Sequence, residues 1–296
     1  MKKLIAICAL VVLFSMGYAG AGTWTTIDMP GASGTYLTGI DGRNLVGNYT
    51  DTTGTHGFLY NGTSWTTLDK PGASDTYLDG IDGRNLVGTY RIGESYHGFL
   101  YDGTTWTTLD MPGASKTYAY GMDGSNIVGH YFDLESPDWG FPFLYNTTTQ
   151  SWTTIEKPGA IRTNILGIDG DNLVGSYTDD SGFHGLLYDG TNWTTLDMPG
   201  GSYTHIYGIS GNTLVGRFQT GSFNMHGFLY DGTTWTTLDA PWPGTYYTLA
   251  DDIDGSNIVG YYVVGADSHG FLYVIPEPAT LLLLGFGAVM VRRYRK

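Results

Sequence analysis

Tryptophan recurs along this chain at an almost constant interval, and this interval constrains the fold more than any other feature. The tripeptide Trp-Thr-Thr occurs six times, at separations of 41, 41, 46, 41 and 42 residues. A period of about 40–45 residues is typical of propeller blades, each of which is one small antiparallel sheet. The tryptophans are Trp24, Trp65, Trp106, Trp152, Trp193 and Trp235.

Three further landmarks recur in each period, and each reads as a β-strand. They are Gly-Ile-Asp-Gly at 39–42, Asn-Leu-Val-Gly at 44–47 and His-Gly-Phe-Leu-Tyr at 56–60, with variants in later repeats. Each is short, rich in β-branched and aromatic residues, and bounded by turn-forming Asp-Gly or Asn-Gly pairs. No helical apolar period is visible. The first repeat is therefore predicted to contain strands at 36–41, 44–49, 56–60 and 65–69, from the inner to the outer position.

The phase of the repeats predicts how the ring closes. Later repeats fall at 77–110, 118–156, 164–197 and 205–239, whereas the last, 247–273, has three strands. The segment 23–28 at the start of the chain is an unpaired outer strand, and pairing it with the last repeat removes two exposed sheet edges. The prediction is an all-β, six-bladed β-propeller over residues 22–275, with four strands per blade, closed by the N-terminal strand.

The repeat resembles the extracellular HAF-repeat family. The family pattern of Gly-Ile, Val-Val-Gly and His-Ala-Phe-Leu-Trp is similar to residues 39–40, 45–47 and 56–60 here, and the resemblance extends from Trp24 to Tyr273. This chain departs from the family in having Gly for Ala and Tyr for Trp in the last element. The resemblance implies an extracellular protein and no particular reaction.

The N-terminus has the pattern of a secretory signal peptide. Lys2 and Lys3 precede an apolar run at 4–14, and the small residues 19–21 follow. Residues 1–21 are predicted to be removed, and a short membrane anchor remains the alternative. Cys8 lies within this segment, so the mature protein would have no disulfide, no thiol chemistry and no cysteine metal site.

The C-terminal segment, 276–296, has three parts in a fixed order. Pro276, Glu277 and Pro278 precede an apolar stretch at 279–291, and a basic cluster that includes Arg292 and Arg293 follows. This arrangement resembles the PEP-CTERM sorting signal of Gram-negative bacteria. The resemblance implies recognition by an exosortase membrane protease, removal of the tail, and association with the cell surface or with exopolysaccharide.

The tail is also the one segment predicted to contact the inner membrane. Its apolar stretch is short for the roughly 20 residues that a spanning helix needs, which favours a transient transmembrane segment. A permanently anchored surface protein is the alternative.

The body of the chain is strongly acidic. Residues 22–275 contain 8 basic and 27 acidic residues, a formal net charge of −19. Such a surface repels phosphate backbones, so nucleic acid is not an expected partner. Cations, or polymers bridged by cations, are favoured instead.

Five histidines invite a metal interpretation, but their spacing disfavours it. They occupy one position in five different repeats and should be distributed around the ring, in structural roles. The Asp-Gly-x-Asn turns lack the further carboxylates that a calcium cage needs. No metal site and no cofactor are therefore predicted. The histidines are His56, His97, His184, His226 and His269.

The loops between the second and third strands of each repeat differ from one another, whereas the tight turns are nearly uniform. Loops on a rigid scaffold commonly carry function, so this face is the predicted ligand surface. The third loop, 132–140, is the longest, and its tryptophan would stack on a sugar ring while its carboxylates bind hydroxyl groups. The candidate residues are Asp133, Glu135, Asp138 and Trp139, with Tyr96 and Phe183 at the ends of two other loops.

These patterns predict a non-catalytic protein of the surface or biofilm matrix that binds extracellular polymer or an envelope protein. No serine nucleophile elbow, phosphate loop or His-Glu-x-x-His pattern is present, so no enzymatic activity is expected. Two alternatives stay open. One is a polysaccharide-active hydrolase or lyase that uses acids such as Glu135 and Asp138, and the other is a structural matrix protein without a ligand.

Overall fold

The computed structural model describes residues 22–134, 140–221 and 224–276, and its regular structure there consists of β-strands. Within these ranges no helix is long and apolar enough to cross a membrane. The strands are β1 (Thr23–Thr26), β2 (Gly34–Asp41), β3 (Asn44–Thr50), β4 (Thr55–Tyr60), β5 (Trp65–Thr67), β6 (Asp75–Asp82), β7 (Asn85–Ile92), β8 (Ser95–Tyr101), β9 (Trp106–Leu109), β10 (Lys116–Asp123), β11 (Asn126–Phe132), β12 (Phe141–Asn146), β13 (Ser151–Thr154), β14 (Arg162–Asp169), β15 (Asn172–Asp179), β16 (Gly182–Tyr188), β17 (Trp193–Thr195), β18 (Ser202–Ser210), β19 (Thr213–Thr220), β20 (Asn224–Tyr230), β21 (Trp235–Leu238), β22 (Thr245–Asp254), β23 (Asn257–Val264) and β24 (Asp267–Val274).

Four of the repeats form separate four-stranded antiparallel sheets. These are β6–β9, β10–β13, β14–β17 and β18–β21, each in simple sequence order. The all-β propeller and its four strands per blade are therefore confirmed. The strand boundaries differ slightly from the prediction, since β2 begins at Gly34 rather than at residue 36 and β5 ends at Thr67 rather than at residue 69.

The expectation of six separate blades is corrected by the remaining strands. They form one eight-stranded sheet in the order β22-β23-β24-β2-β3-β4-β5, with β1 attached to β24. A single parallel bridge between Gly34 and Ser268 joins the strands of the first and last repeats. The structure thus has four free-standing blades, because a backbone pairing merges the other two repeats into one sheet.

The predicted closure by the N-terminal strand is confirmed. Strand β1 pairs with β24, and just beyond it the amide of Ile27 donates to the carbonyl oxygen of Gly270 at 2.9 Å. The side chains of His269 and Asp28 are joined through Nδ1 and Oδ2 at 2.8 Å. The first strand therefore completes the sheet of the last repeat.

A ring of six hydrogen bonds links the hairpins that end the inner strands. In each bond the glycine amide of one hairpin turn donates to the last inner-strand side chain of the preceding repeat. The bond from Gly42 to Asp254, at 2.7 Å, joins the first repeat to the last. The other acceptors and donors are Asp41 with Gly83, Asp82 with Gly124, Asp123 with Gly170, Asp169 with Gly211, and Ser210 with Gly255.

The hydrophobic core lies between neighbouring sheets. Val46 of the first repeat packs with Leu78, Leu86 and Phe99 of the second, and the same arrangement recurs around the ring. Phe99 is fully buried, as is the phenylalanine at the same position in four other repeats. Each such side chain contributes about 1.5–3 kcal/mol of transfer free energy, which holds the ring as a rigid support for its loops.

Candidate functional site

The two faces of the ring differ in chemical character. The loop face carries the loops between the second and third strands, such as 51–54, and the connections between repeats, such as 68–74. The turn face carries the tight turns, such as 61–64. On the turn face, the backbone amides of the turns donate hydrogen bonds to nearby side chains. The Asp102 carboxylate, for example, accepts the amides of Thr104 and Thr105 at 2.8 and 2.7 Å.

The large hydrophobic side chains that are exposed, among the described residues, all lie on the loop face. Each stands at the end of a second strand, in a loop that follows it, in a connection between repeats, or at the start of a first or third strand. They belong to several different repeats. These residues are Ile92, Leu134, Ile161, Phe183, Tyr203 and Tyr246.

Tyr96, one of the predicted ligand residues, is half-buried at the start of β8. Its ring stacks on Tyr118 of the next repeat with centroids 5.4 Å apart. The ammonium group of Lys116 lies 5.8 Å from its ring centroid. Tyr96 is therefore held in place by the side chains of the next repeat.

Phe183, another predicted residue, forms an exposed aromatic pair with Tyr203. The ring centroids are 4.6 Å apart, and 37% of Phe183 and 46% of Tyr203 is exposed. Tyr203 has a φ of 54°, in the left-handed region that a bulky residue adopts at a cost of about 1–3 kcal/mol. Strained residues of this kind concentrate at binding sites.

The third loop is described only in part. Asp133 follows β11, and its carbonyl oxygen accepts a bond of 3.4 Å from the Ser115 hydroxyl. Glu135, Asp138 and Trp139 lie outside the described residues, so the predicted sugar-stacking tryptophan stays a prediction. The neighbouring Leu134 is 79% exposed.

The five repeated histidines each contact a carboxylate at the end of an outer strand, as expected for structural residues. Nδ1 of His56 lies 2.8 Å from Oδ2 of Asp69, and four equivalent pairs occur around the ring. Burial lowers the pKa of His56, but its hydrogen bond to Asp69 and the charges of Asp69 and Asp51 raise the pKa above its usual value. Across the described ranges, no group of three or more His, Cys, Asp or Glu side chains is placed to hold a metal ion.

The sequence did not predict a site at the centre of the ring, where the structure has a cavity of about 350 Å³. Every inner strand contains a β-bulge at the same place, shown by a register shift such as that between Leu37 and Gly39. The bulged residue of each strand lines the cavity. These channel residues are Thr38, Asp79, Tyr120, Leu166, Tyr207 and Asp251.

Two of the channel residues are carboxylic acids with unusual titration. Burial and the nearby charge of Asp251 raise the pKa of Asp79 to about 7. Burial also raises the pKa of Asp251 to about 7, although the positive charge of Arg217 opposes this rise. Oδ2 of Asp251 is buried and accepts no hydrogen bond.

Asp252 stands where the other five repeats have glycine. In four of those repeats the inner strands approach so closely that a side chain has little room: a Cβ on Gly80 would lie 2.7 Å from the carbonyl oxygen of Tyr120. The Asp252 carboxylate instead accepts the amides of Ile40 and Ile253 at 2.9 and 2.8 Å. Asp252 therefore joins the last repeat to the first, which is a structural role.

The sequence signal for the channel is variation between repeats at one position. Position 38 and its equivalents carry unlike residues, although the residues on either side are well repeated. A variable residue immediately before the repeated Gly-Ile pair marks the channel wall in this fold.

Solved structures show the same fold. Putative TolB from Agrobacterium tumefaciens is 13% identical, with a TM-score of 0.55 over 74% of this chain and 89% of that chain. TolB from Acinetobacter baumannii is 14% identical, with a TM-score of 0.50, and the match covers 67% of this chain and 51% of that one. At these identities the likeness establishes the propeller fold alone. No curated protein matches the chain.

The C-terminal prediction is confirmed by a family match, whereas the resemblance of the body to HAF repeats stays a prediction. The matched segment, 274–296, includes Pro276 and also Glu277, Pro278, Arg292 and Arg293, which lie outside the described residues. It is a PEP-CTERM protein-sorting motif, which implies processing by an exosortase. The chain is therefore an exported propeller that is held transiently at the membrane and then sorted to the surface.

Proposed function

We propose that this protein is a non-catalytic, surface-associated propeller whose loop face binds an extracellular polysaccharide. In this proposal the eight-stranded sheet acts as two blades, so six sets of loops surround the channel. The ring of six hairpin hydrogen bonds supports this count.

The exposed apolar side chains on the loop face carry the proposal. Aromatic rings stack on the apolar faces of sugars, and Phe183 with Tyr203 offers two such rings side by side. The strained backbone of Tyr203 supports the same interpretation, since a strained conformation is retained where the surroundings or a ligand require it. The sorting motif supports the proposal, because it directs the protein to the cell surface, where an extracellular polysaccharide would be met.

The proposal is tested with the protein in the form that the cells export and with the exopolysaccharide of those cells. Phe183→Ala and Tyr203→Gly remove the two exposed rings, and glycine also relieves the positive φ of residue 203. We expect each variant to bind at least tenfold more weakly by isothermal titration while retaining its melting temperature. Asn212→Ala, at an exposed position on the turn face, is the matched control.

Two outcomes would replace this proposal. Equal binding by all variants would remove the loop face as the site, and capture of an envelope protein lost in Phe183→Ala would replace the polysaccharide as ligand. A specific observation also favours a hydrolase or lyase: Asp79 and Asp251 have pKa values of about 7, suited to proton transfer. Shortened polysaccharide that disappears with Asp79→Asn would establish that activity.

A further inference from the structure

Two ladders of aromatic rings lead from the loop face into the channel. The first begins at Tyr96, which stacks on Tyr118 at 5.4 Å, and Tyr118 lies 6.4 Å from Tyr120. Tyr120 belongs to the channel wall. Aromatic rings at this spacing pack against one another, so the ladder is a connected row of rings from the loop face to the cavity.

The second ladder reaches the same cavity from another side. Phe183 contacts Tyr203 and also lies 6.1 Å from His205. His205 in turn lies 6.3 Å from Tyr207, a channel residue. Tyr96 and Phe183 were selected from the sequence as ends of variable loops, and in the structure each is the outermost ring of a ladder.

The cavity at the end of the ladders has the size and shape of a ligand site. Its volume of about 350 Å³ lies within the range of roughly 300–1,000 Å³ typical of small-molecule pockets. Residues from all six inner strands line it, so its shape is fixed by the ring rather than by any one loop. A site on such a support is held more precisely than one on a loop.

The charges around the cavity define what it can accept. Asp79, Asp251 and Asp252 line it. The Asp252 carboxylate already accepts two backbone amides, whereas Oδ2 of Asp251 has no hydrogen-bond partner. The positive group nearby is Arg217, whose guanidinium lies 5.3 Å from the ring centroid of Tyr207 and contacts Met225 sulfur. Burial lowers the pKa of His205 to about 4, so this histidine is neutral at pH 7.

A channel with these groups selects against acidic sugars. A uronic acid would place its carboxylate beside Asp79 and Asp251, which repel it. A neutral sugar would satisfy the acceptors through hydroxyl groups, but a protonated amine supplies three donors and an opposite charge. Tyrosine rings also attract a cation on their faces.

We propose that the channel cavity binds an amino-bearing sugar residue of the extracellular polysaccharide, with its ammonium group between Asp79 and Asp251 and the adjoining sugars stacked along the aromatic ladders. This inference rests on the proposed function and names its ligand. The tyrosines of the ladders and the two carboxylates then form one site, which continues from the loop face to the axis of the ring.

The test uses the protein in its exported form and two probes, a β-1,4-linked glucosamine tetramer and its fully N-acetylated counterpart. By isothermal titration near pH 7, we expect the amine form to bind at least tenfold more tightly than the acetylated form. Asp79→Asn and Asp251→Asn keep the side-chain shape and should each weaken binding of the amine form at least tenfold. Asp171→Asn removes an exposed charge from the turn face and is the matched control.

The outcomes separate this inference from the proposed function. Equal binding of the two probes, no binding of the amine form, or unchanged binding by both channel variants would overturn the amino-sugar site. If the parent protein still binds the polysaccharide and Phe183→Ala binds it more weakly, the proposed function survives that result. If Phe183→Ala also has no effect, both proposals are wrong. Melting temperatures within a few degrees of the parent establish that the variants are folded.

Discussion

Trp24 and Tyr273 stand at opposite ends of the described chain, yet their ring centroids lie 4.8 Å apart. The same contact joins Trp65 to Tyr60 at 4.4 Å within the first repeat. Trp24 therefore occupies the position of an outer-strand tryptophan in the last repeat. The binding sites proposed on the loop face and in the channel depend on this closure, because it brings the first and last inner strands together.

The close approach of inner strands predicts which glycines tolerate a side chain. A Cβ on Gly167 would overlap the carbonyl oxygen of Tyr207, whereas the nearest atom to a Cβ on Gly121 is 3.4 Å away. Gly167→Ala should therefore lower the free energy of unfolding by about 1–3 kcal/mol, and Gly121→Ala should have little effect. Urea denaturation of the two variants measures this difference, and equal losses would contradict the predicted packing.

The raised pKa of Asp79 predicts a pH-dependent stability. Its pKa is about 7 in the folded protein and about 3.9 in an unfolded chain, so the folded state binds the proton more tightly. This group therefore reduces stability as the pH rises from about 4 to 7, and the cost is complete above pH 7. The free energy of unfolding of Asp79→Asn should exceed that of the parent by about 1–3 kcal/mol at pH 8 and by much less near pH 4. This range is smaller than the full pKa shift implies, because Asp79 is partly exposed.

Urea denaturation at both pH values measures the effect of Asp79→Asn. Asp180→Asn is the control, since residue 180 is exposed on the loop face and the substitution removes the same charge. A parent protein more stable than Asp79→Asn at pH 8 would show that the ionised carboxylate is well stabilised in the channel.

The pair of His56 and Asp69 also predicts a stability that falls as the pH rises, here because a charged histidine loses its proton. The folded pKa of His56 is above its usual value of 6.5, so the stabilisation is complete below pH 6.5 and is lost as the pH rises through the folded pKa. NMR titration should show the pKa of His56 falling in Asp69→Asn. Asp110→Asn, at the equivalent position in the next repeat, should leave it unchanged. A His56 pKa that does not respond to Asp69→Asn would refute the pairing.

The sorting motif predicts the fate of the C-terminal segment. Mass spectrometry of the surface-associated protein should show that the tail within 276–296 has been removed. Replacing Arg292 and Arg293 by alanine should leave the tail attached and the protein in the membrane fraction, because the basic cluster is part of the matched motif. A surface protein with its tail intact would contradict exosortase processing.

Much of the fold followed from comparing the chain with itself, because each blade repeats the same strands and turns. The bridge between Gly34 and Ser268 could not be predicted, since a backbone pairing leaves no mark in side-chain identity. The left-handed backbone of Tyr203 could not be predicted either, because tyrosine, unlike glycine, rarely adopts a positive φ and so gives no sequence signal for one.

The channel was missed because its residues do not repeat. Asp79 occupies the same bulge position as Tyr120 and Leu166, and three residues of such different chemistry share no motif. Asp252 was overlooked likewise, although it replaces a glycine found in the other five repeats. In a repeat protein, positions that depart from the repeat deserve as much weight as those that keep it.

Closure of the ring is tested most directly by hydrogen exchange at the amide of Ile27. This amide donates to Gly270 at 2.9 Å, just as the amides of Leu68 and Leu196 donate to Gly57 and Gly185 at 2.8 and 3.0 Å. A closed ring predicts that Ile27 exchanges as slowly as Leu68 and Leu196 in the exported protein. Exchange of Ile27 at the rate of an exposed turn amide, with Leu68 and Leu196 protected, would contradict the closure and the channel site with it.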